Sequence, residues 1–291
     1  MSLMPDYWFA RVFFDADKAG STADVYLLDS AISLQSMQAI ASRSDCDASC
    51  FCLSGERAGI YKVDTFNCQQ RIQTCGHGLL ASAAVILEHN YDDNFSSRSL
   101  VLQTTQESIA VKREKDFIWI GFESLPLGCS ESDEESLQVA ACFSVAPEKM
   151  TRVGGDSSYW VIEWRPDVDL AKLSVNFKAL IVSTRRSIIA TQKNSRSSDD
   201  FNLRYFAPQY GTDEDKATGS ACRVLTSYWQ QQRDPQVDSE QQFHAHQLSS
   251  TGATMACKIQ LEKVWISGNI ALERENISSQ SSALATLKKQ R

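Results

Sequence analysis

Cys75-Gly76-His77-Gly78, followed by the apolar run 79–87, is repeated later as Thr218-Gly219-Ser220-Ala221, followed by residues 222–229, and this repeat decides how the chain folds. Laying one stretch on the other puts Cys75 on Thr218 and Gly76 on Gly219. Each reads as a tight turn opening onto a helix, over 76–87 in the first half and 219–230 in the second. A helix start offers N–H groups without intrahelical partners and the positive end of the helix dipole, so it holds an anion without any basic side chain. Two such starts, one per half, point to two related domains aiming them at one carboxylate-bearing substrate. On spacing alone the same residues also fit glycine turns ahead of core helices, because short glycine motifs are common.

Around this repeat the chain reads as strands punctuated by few helices. Residues 8–14 (WFARVFF) and 24–28 (DVYLL) are rich in β-branched and aromatic residues and are separated by the turn Gly20-Ser21-Thr22. A short helix is expected over 33–42, where Met37, Ile40 and Ala41 fall at helical spacing. Further strands are expected at 49–53, 58–63, 99–103, 108–113 and 117–123. In the second half they are expected at 158–163, 179–183, 188–190, 201–206, 254–261, 263–267 and 269–274. The acidic, serine-rich stretch 130–135 reads as a solvated loop, and 278–291, polar and without a strand pattern, as a flexible tail. The run 79–89 (LLASAAVILEH) is apolar on nearly every side, which is how an enclosed helix reads. Curved sheets wrapped around a central helix would enclose it; a doubly wound parallel sheet would need more helices between strands than appear here.

Composition narrows the function. The chain has 291 residues, which suits two domains, and a net charge of −7 with dispersed basic residues, which argues against nucleic acid as the main ligand. The longest apolar run is far short of the roughly 18 residues needed to span a membrane, and no signal-peptide pattern opens the chain. A cytoplasmic location is expected. Nine cysteines, an odd number without a secretory signal, are read as thiols. Cys46, Cys50 and Cys52 cluster but form no CxxC pair, and the histidines at 77, 89, 244 and 246 follow no zinc spacing, so no metal is expected.

These residues together resemble the phenazine-biosynthesis PhzF-like isomerase family, which groups with diaminopimelate epimerase and proline racemase. The resemblance rests on the Cys75-Gly76-His77-Gly78 turn and its helix and on Arg204-Tyr205-Phe206-Ala207-Pro208. It rests most specifically on Asp213-Glu214-Asp215-Lys216-Ala217-Thr218-Gly219-Ser220-Ala221 running into Ser227-Tyr228-Trp229. The family typically writes the last motif D-E-D-P-V-T-G-S-A. The resemblance implies an α+β fold of two pseudo-symmetric domains, each a barrel-like, mostly antiparallel sheet around a central helix. The first domain would be 1–116 plus 269–277 and the second 117–268, with the active site in the cleft between them. It also implies proton transfer at carbon without a metal or organic cofactor, on a small carboxylate-bearing substrate; a homodimer is left open.

Carried over residue by residue, Cys75 takes the first racemase cysteine position, where the helix start should favour its thiolate. Thr218 takes the second, and threonine is no acid or base near neutral pH, so a symmetric two-thiol racemase is not expected. His77 and Asp215 match the isomerase's His and Asp, whereas its glutamate falls at Ala48. Asp47 could replace that glutamate only with a shift of strand register, because neighbouring side chains point to opposite faces. The candidate catalytic residues are Asp215, His77 and Cys75, the last standing equally as an inert small residue. Gly76, Gly78, Thr218, Gly219, Ser220 and Ala221 are the candidate substrate-binding residues. Two readings stay open: a cofactor-independent isomerase, and a member without turnover that binds small molecules or partners.

Overall fold

The computed structural model describes residues 7–73, 75–89, 100–128, 133–155, 158–194, 197, 200–232 and 242–275. The expected tail at 278–291 and the first residue of the strand expected at 99–103 lie outside these. The chain separates into two compact units: one is built from 1–12, 21–120 and 269–291, the other from 13–20 and 121–268.

In the first unit the elements are β1 (Tyr7–Phe14), β2 (Ser21–Leu28), α1 (Leu34–Ala41), β3 (Ala48–Ser54), β4 (Ile60–Phe66), β5 (Arg71–Ile72), α2 (Gly76–His89), β6 (Leu100–Gln103), β7 (Ser108–Glu114) and the start of β8 (Phe117–Glu123). The second unit continues through α3 (Glu134–Ala140), β9 (Lys149–Val153), β10 (Tyr159–Glu163), α4 (Phe177–Ser183), β11 (Ser187–Lys193), β12 (Asp200–Phe206), α5 (Gly219–Gln230), β13 (Phe243–Gln247), β14 (Ala253–Gln260) and β15 (Lys263–Ser267). The last strand, β16 (Asn269–Glu275), belongs to the first unit and lies beside β1.

The strands of each unit pair in a mixed, mostly antiparallel pattern, and the parallel pairs fall in matching places. In the first unit β2 runs parallel to β3 and β4 to β6; in the second, β10 runs parallel to β11 and β12 to β13. Parallel neighbours need a crossover, and here each crossover carries a helix: α1 and α2 in one unit, α4 and α5 in the other. The repeat seen in the two glycine turns therefore extends to a whole strand, helix, strand, strand, helix, strand series.

Each sheet uses its two faces differently. On one face of the first sheet Tyr26, Phe51 and Phe66 pack with Met37 and Ala41 of α1. Side chains alternate along β3, so Ala48, Cys50 and Cys52 point to the other face, toward α2. Helix α2 is buried continuously from 76 to 86. Its apolar side chains each gain about 1.5–3 kcal/mol from burial, which explains why a helix with no polar stripe sits in the interior. In the second unit Trp160, Trp164, Phe206 and Leu180 form the cluster beneath α3 and α4, while Phe201, packed on Phe243, stacks with Trp229 of α5 on the opposite face.

Two expectations are corrected. The strand expected at 179–183 is the end of α4: Asn176 caps it by accepting from the Ala179 N–H at 3.1 Å, and only Leu180 is buried. The β-branched Ile181 and Val182 that gave it a strand appearance face outward. Of the loop expected at 130–135, residues 130–132 lie outside the described residues, and Asp133 is the N-cap of α3. The Asp133 carboxylate accepts from Ser136 N–H and the Ser136 hydroxyl accepts from Asp133 N–H, each at 2.9 Å, while Glu134 and Glu135 sit favourably in the first turn. Strands β5, β9 and β13 and helix α3 have no counterpart among the expected elements. Among the described residues no helix is long and apolar enough to cross a membrane.

Candidate active site

The first helix start is enclosed and lined with sulfur. Cys75 precedes α2 and supplies the carbonyl that accepts its first ladder bond, from Leu79 N–H at 2.9 Å. Cys75 and His77 are both buried, with Cys75 Sγ 3.6 Å from Nδ1 and 3.5 Å from Nε2 of the imidazole. Gly78 is required by its neighbours: a Cβ there would lie 2.7 Å from Cys50 Sγ and 3.1 Å from Cys75 Sγ. Two thiols thus converge on Gly78. Burial pushes the Cys50 thiol up to about 11, so it packs as a neutral group. Helix geometry leaves the N–H groups of Gly76 and His77 outside the ladder, as an anion-binding turn requires.

The second helix start carries a hydrogen-bonded acid. Asp215 is half-buried, and its main-chain N–H donates to Tyr205 O at 3.1 Å. Thr218 Oγ1 donates to Asp215 Oδ2 at 2.6 Å, while Oδ1 accepts from no described residue. The loop holding Asp215 is anchored by its neighbour Glu214, which takes two parallel bonds of 2.7 Å from the Arg204 guanidinium. Arg204 in turn donates to the carbonyls of Leu170 and Leu173. Such a bidentate, largely buried pair fixes direction as well as distance. Tyr205 stands close to Asp215, and burial, then the neighbouring Tyr159, raises its phenol well above the usual range, so it stays protonated.

Thr218, Gly219, Ser220 and Ala221 are all buried. Ala221 N–H already donates to Thr218 O at 3.2 Å, so Gly219 and Ser220 are the residues of this turn left to present donors. The Ser220 hydroxyl has no described partner. Cys222, one residue further, donates to Met255 Sδ at 3.4 Å, and burial, then Cys257, raises its thiol well above the usual range. It belongs to the core.

The structure accounts for Ala48 and Asp47 as well. Ala48 opens β3, paired with Ala23 and without exposure, on the face that Cys50 presents to Gly78. Asp47 accepts from Ser21 Oγ, Thr22 N–H and Thr22 Oγ1 at 3.0, 3.0 and 3.2 Å, which ties it to the start of β2. Among the described residues no three His, Cys, Asp or Glu side chains are arranged to hold a metal ion. Burial and the adjacent Asp24 carboxylate raise the Cys46 thiol to about 12.

One residue of this site escaped the sequence. Gln247, at the end of β13 and without exposure, accepts from Thr218 N–H at 2.7 Å and donates to Asp215 O at 2.6 Å and Thr218 Oγ1 at 3.2 Å. The available signal was alternation: Phe243, Ala245 and Gln247 share the buried face of their strand, where a glutamine needs partners.

Comparison with known proteins bears on the fold and the family. An uncharacterized isomerase of Pseudomonas aeruginosa is 29% identical over 263 residues, covering 89% of this chain and 93% of that protein. A phenazine biosynthesis-like domain-containing protein of Bos taurus is 29% identical over 222 residues, covering 72% and 74%. Among solved structures, a phenazine biosynthesis PhzF family protein of Enterococcus faecalis superposes with a TM-score of 0.75 at 22% identity, over 94% of this chain and all of the other. A probable proline racemase from Agrobacterium radiobacter superposes with a TM-score of 0.60 at 6% identity, over 94% and 93%. At such identities the superpositions speak to the fold, the epimerase-like α+β architecture. The profile of the phenazine biosynthesis-like proteins matches residues 10–276, and this chain belongs to that family.

Proposed function

We propose that this protein is a cofactor-independent isomerase that moves a proton at a carbon atom of a small carboxylate-bearing metabolite. Asp215 is the base, with His77 and Cys75 as the further candidates for carrying the proton. The observation that carries the reading is the Asp215 carboxylate itself. One oxygen is held by Thr218, the other accepts from no described residue, and both stand beside a helix start whose Gly219 and Ser220 donors suit an anion. Oδ1 removes a proton from the carbon adjacent to the substrate carboxylate, and the electron pair moves into that carboxylate. Helix N–H groups stabilise the charge gathered on its oxygens, and the proton returns to carbon at a new position or from the opposite side.

A second reading, a binding protein without turnover, has one observation in its favour. The position of the family's glutamate holds Ala48, and the neighbouring Asp47 is engaged with Ser21 and Thr22. One experiment separates the two: incubation with a panel of small carboxylates in deuterated water, scoring protein-dependent deuterium bound to carbon. Exchange by the wild-type chain supports the isomerase, and a gain in Ala48→Glu identifies Ala48 as a brake. Binding without exchange in either protein sinks the isomerase and leaves the binding protein.

A further inference from the structure

We propose that Gln247 is a positioning residue: it fixes Asp215 as a proton acceptor by dictating which way the Thr218 hydroxyl points. The catalytic consequence rests on the reading of Asp215 as the base, whereas the hydrogen-bond assignment stands without it.

The orientation of the Gln247 amide follows from groups whose roles cannot change. Thr218 N–H can only donate, so the atom 2.7 Å from it is the amide oxygen. Asp215 main-chain carbonyl can only accept, so the atom 2.6 Å from it is the amide nitrogen. Both requirements select the same orientation, and the reverse would set donor against donor and acceptor against acceptor. One proton of the amide nitrogen is used on the Asp215 carbonyl. The other faces Thr218 Oγ1 at 3.2 Å and occupies a lone pair there. The threonine's own proton is then left for Asp215 Oδ2, at 2.6 Å.

A hydroxyl is ordinarily ambiguous, able to donate to a carboxylate or accept from a carboxylic acid. Gln247 narrows that choice: its amide takes one lone pair of Thr218 Oγ1 and offers the threonine proton no acceptor, so among the described residues that proton has only Asp215 Oδ2 to bond. The Thr218 hydroxyl thus meets Asp215 as a donor on Oδ2, which suits the carboxylate and leaves Oδ1 as the oxygen for a substrate proton. Thr218, which sits where a two-thiol racemase has its second cysteine, thereby acts on the substrate only through Asp215. The buried position of Gln247 keeps water from competing for these bonds.

The test uses Gln247→Glu, Thr218→Val and Thr218→Ser in the full chain. Gln247→Leu is less informative because it would strand the Thr218 N–H and Asp215 carbonyl in the interior. Glutamate keeps the shape but has at most one donor, too few for both the Asp215 carbonyl and Thr218 Oγ1. Proton NMR, which needs no substrate, should show a slowly exchanging Thr218 hydroxyl proton and two separately protected Gln247 amide protons in the wild type. In folded Gln247→Glu the hydroxyl proton should exchange at least about tenfold faster, the worth of roughly one hydrogen bond. With an exchanging carboxylate in hand, Gln247→Glu and Thr218→Val should both lose about 10²-fold in carbon-bound deuterium exchange, with ligand affinity within a few fold. Thr218→Ser should retain most of the rate. An unprotected hydroxyl in the wild type, equal protection in Gln247→Glu, or full exchange in Thr218→Val would each overturn the proposal. If no carboxylate exchanges with any form of the protein, the proposed function fails, and the NMR measurement still decides the assignment of Gln247.

Discussion

The two helix starts use one backbone device with opposite side-chain chemistry. At the start of α2, Cys75 lies against His77 and converges with Cys50 on Gly78; at the start of α5, Asp215, Thr218 and Gln247 form a closed hydrogen-bonded set. Position by position, His77 corresponds to Ser220 and Asp215 to Ile72. Gly78 corresponds to Ala221, where the second half accepts the methyl that Cys50 excludes from the first. An internal repeat thus keeps the turn and the helix start, whose first N–H groups lie outside the helical ladder. It leaves the acid–base groups free to diverge between halves.

The largest effect should come from removing the acid. Asp215→Asn keeps the shape but cannot accept a proton at neutral pH, so exchange should fall by about 10²–10⁴ while ligand affinity stays within a few fold. Measured beside it, Cys75→Ser should lose much less if α5 alone carries the base. Equal losses would make the thiol a second base and the two starts functionally symmetric.

Stability measurements sharpen the contrast at Gly78 and Ala221. Gly78→Ala drives a methyl into two sulfurs and should cost about 1–3 kcal/mol in urea unfolding, with part of it recovered by Cys50→Ala in the same chain. Ala221→Gly should cost about 1 kcal/mol, the ordinary price of glycine inside a helix. An unaffected Gly78→Ala would mean that the sulfurs relax and that the glycine serves only the turn.

Thiol labelling compares how firmly each helix is enclosed. In the folded protein at pH 8, alkylation should consume the exposed Cys68, while Cys50 and Cys52 beside α2 and Cys222 and Cys257 near α5 react only on unfolding. Burial protects Cys50, Cys52 and Cys222 twice, by excluding the reagent and by raising the pKa of each thiol so that little thiolate forms. Earlier labelling of Cys50 than of Cys222 would show that the first helix start opens by itself.

The smallest effect lies on the outer face of β13, the strand that carries Gln247. His246 accepts from Lys18 Nζ at its Nδ1 (3.0 Å), and its Nε2 faces Asp200 at 3.3 Å; Asp200 also meets His244, and Lys18 also bonds Thr254. Burial, then the Lys18 charge, lowers the His246 value. Below about pH 6.5 the unfolded chain therefore takes up a proton that the folded one resists, and stability falls on acidification through that range. The loss between pH 7.5 and 5.5 should be no more than about 1 kcal/mol, and His246→Gln should flatten it. A pH dependence unchanged in that variant would assign it to other groups.

Sequence by itself determined what depends on neighbours along the chain. The two glycine turns, the apolar run of α2 and the alternating strands are patterns of period 3.6 or 2 that need no knowledge of the fold, and the spaced motif around Asp215 marked both the family and the acid. Once the repeat was seen, α4 was within reach as well, because its counterpart α1 is a crossover helix; the β-branched Ile181 and Val182 outweighed that signal. Tertiary structure decided what depends on register between distant strands. Gln247 reaches Thr218 only because β13 lies parallel to β12 with Leu203 opposite Gln247. Asp47 is committed to Ser21 and Thr22, and Gly78 is indispensable because Cys50 of β3 faces it. Local backbone preference extends over a turn or two of chain, whereas a buried polar group takes its role from whichever partner the packed sheet places within a hydrogen bond of it.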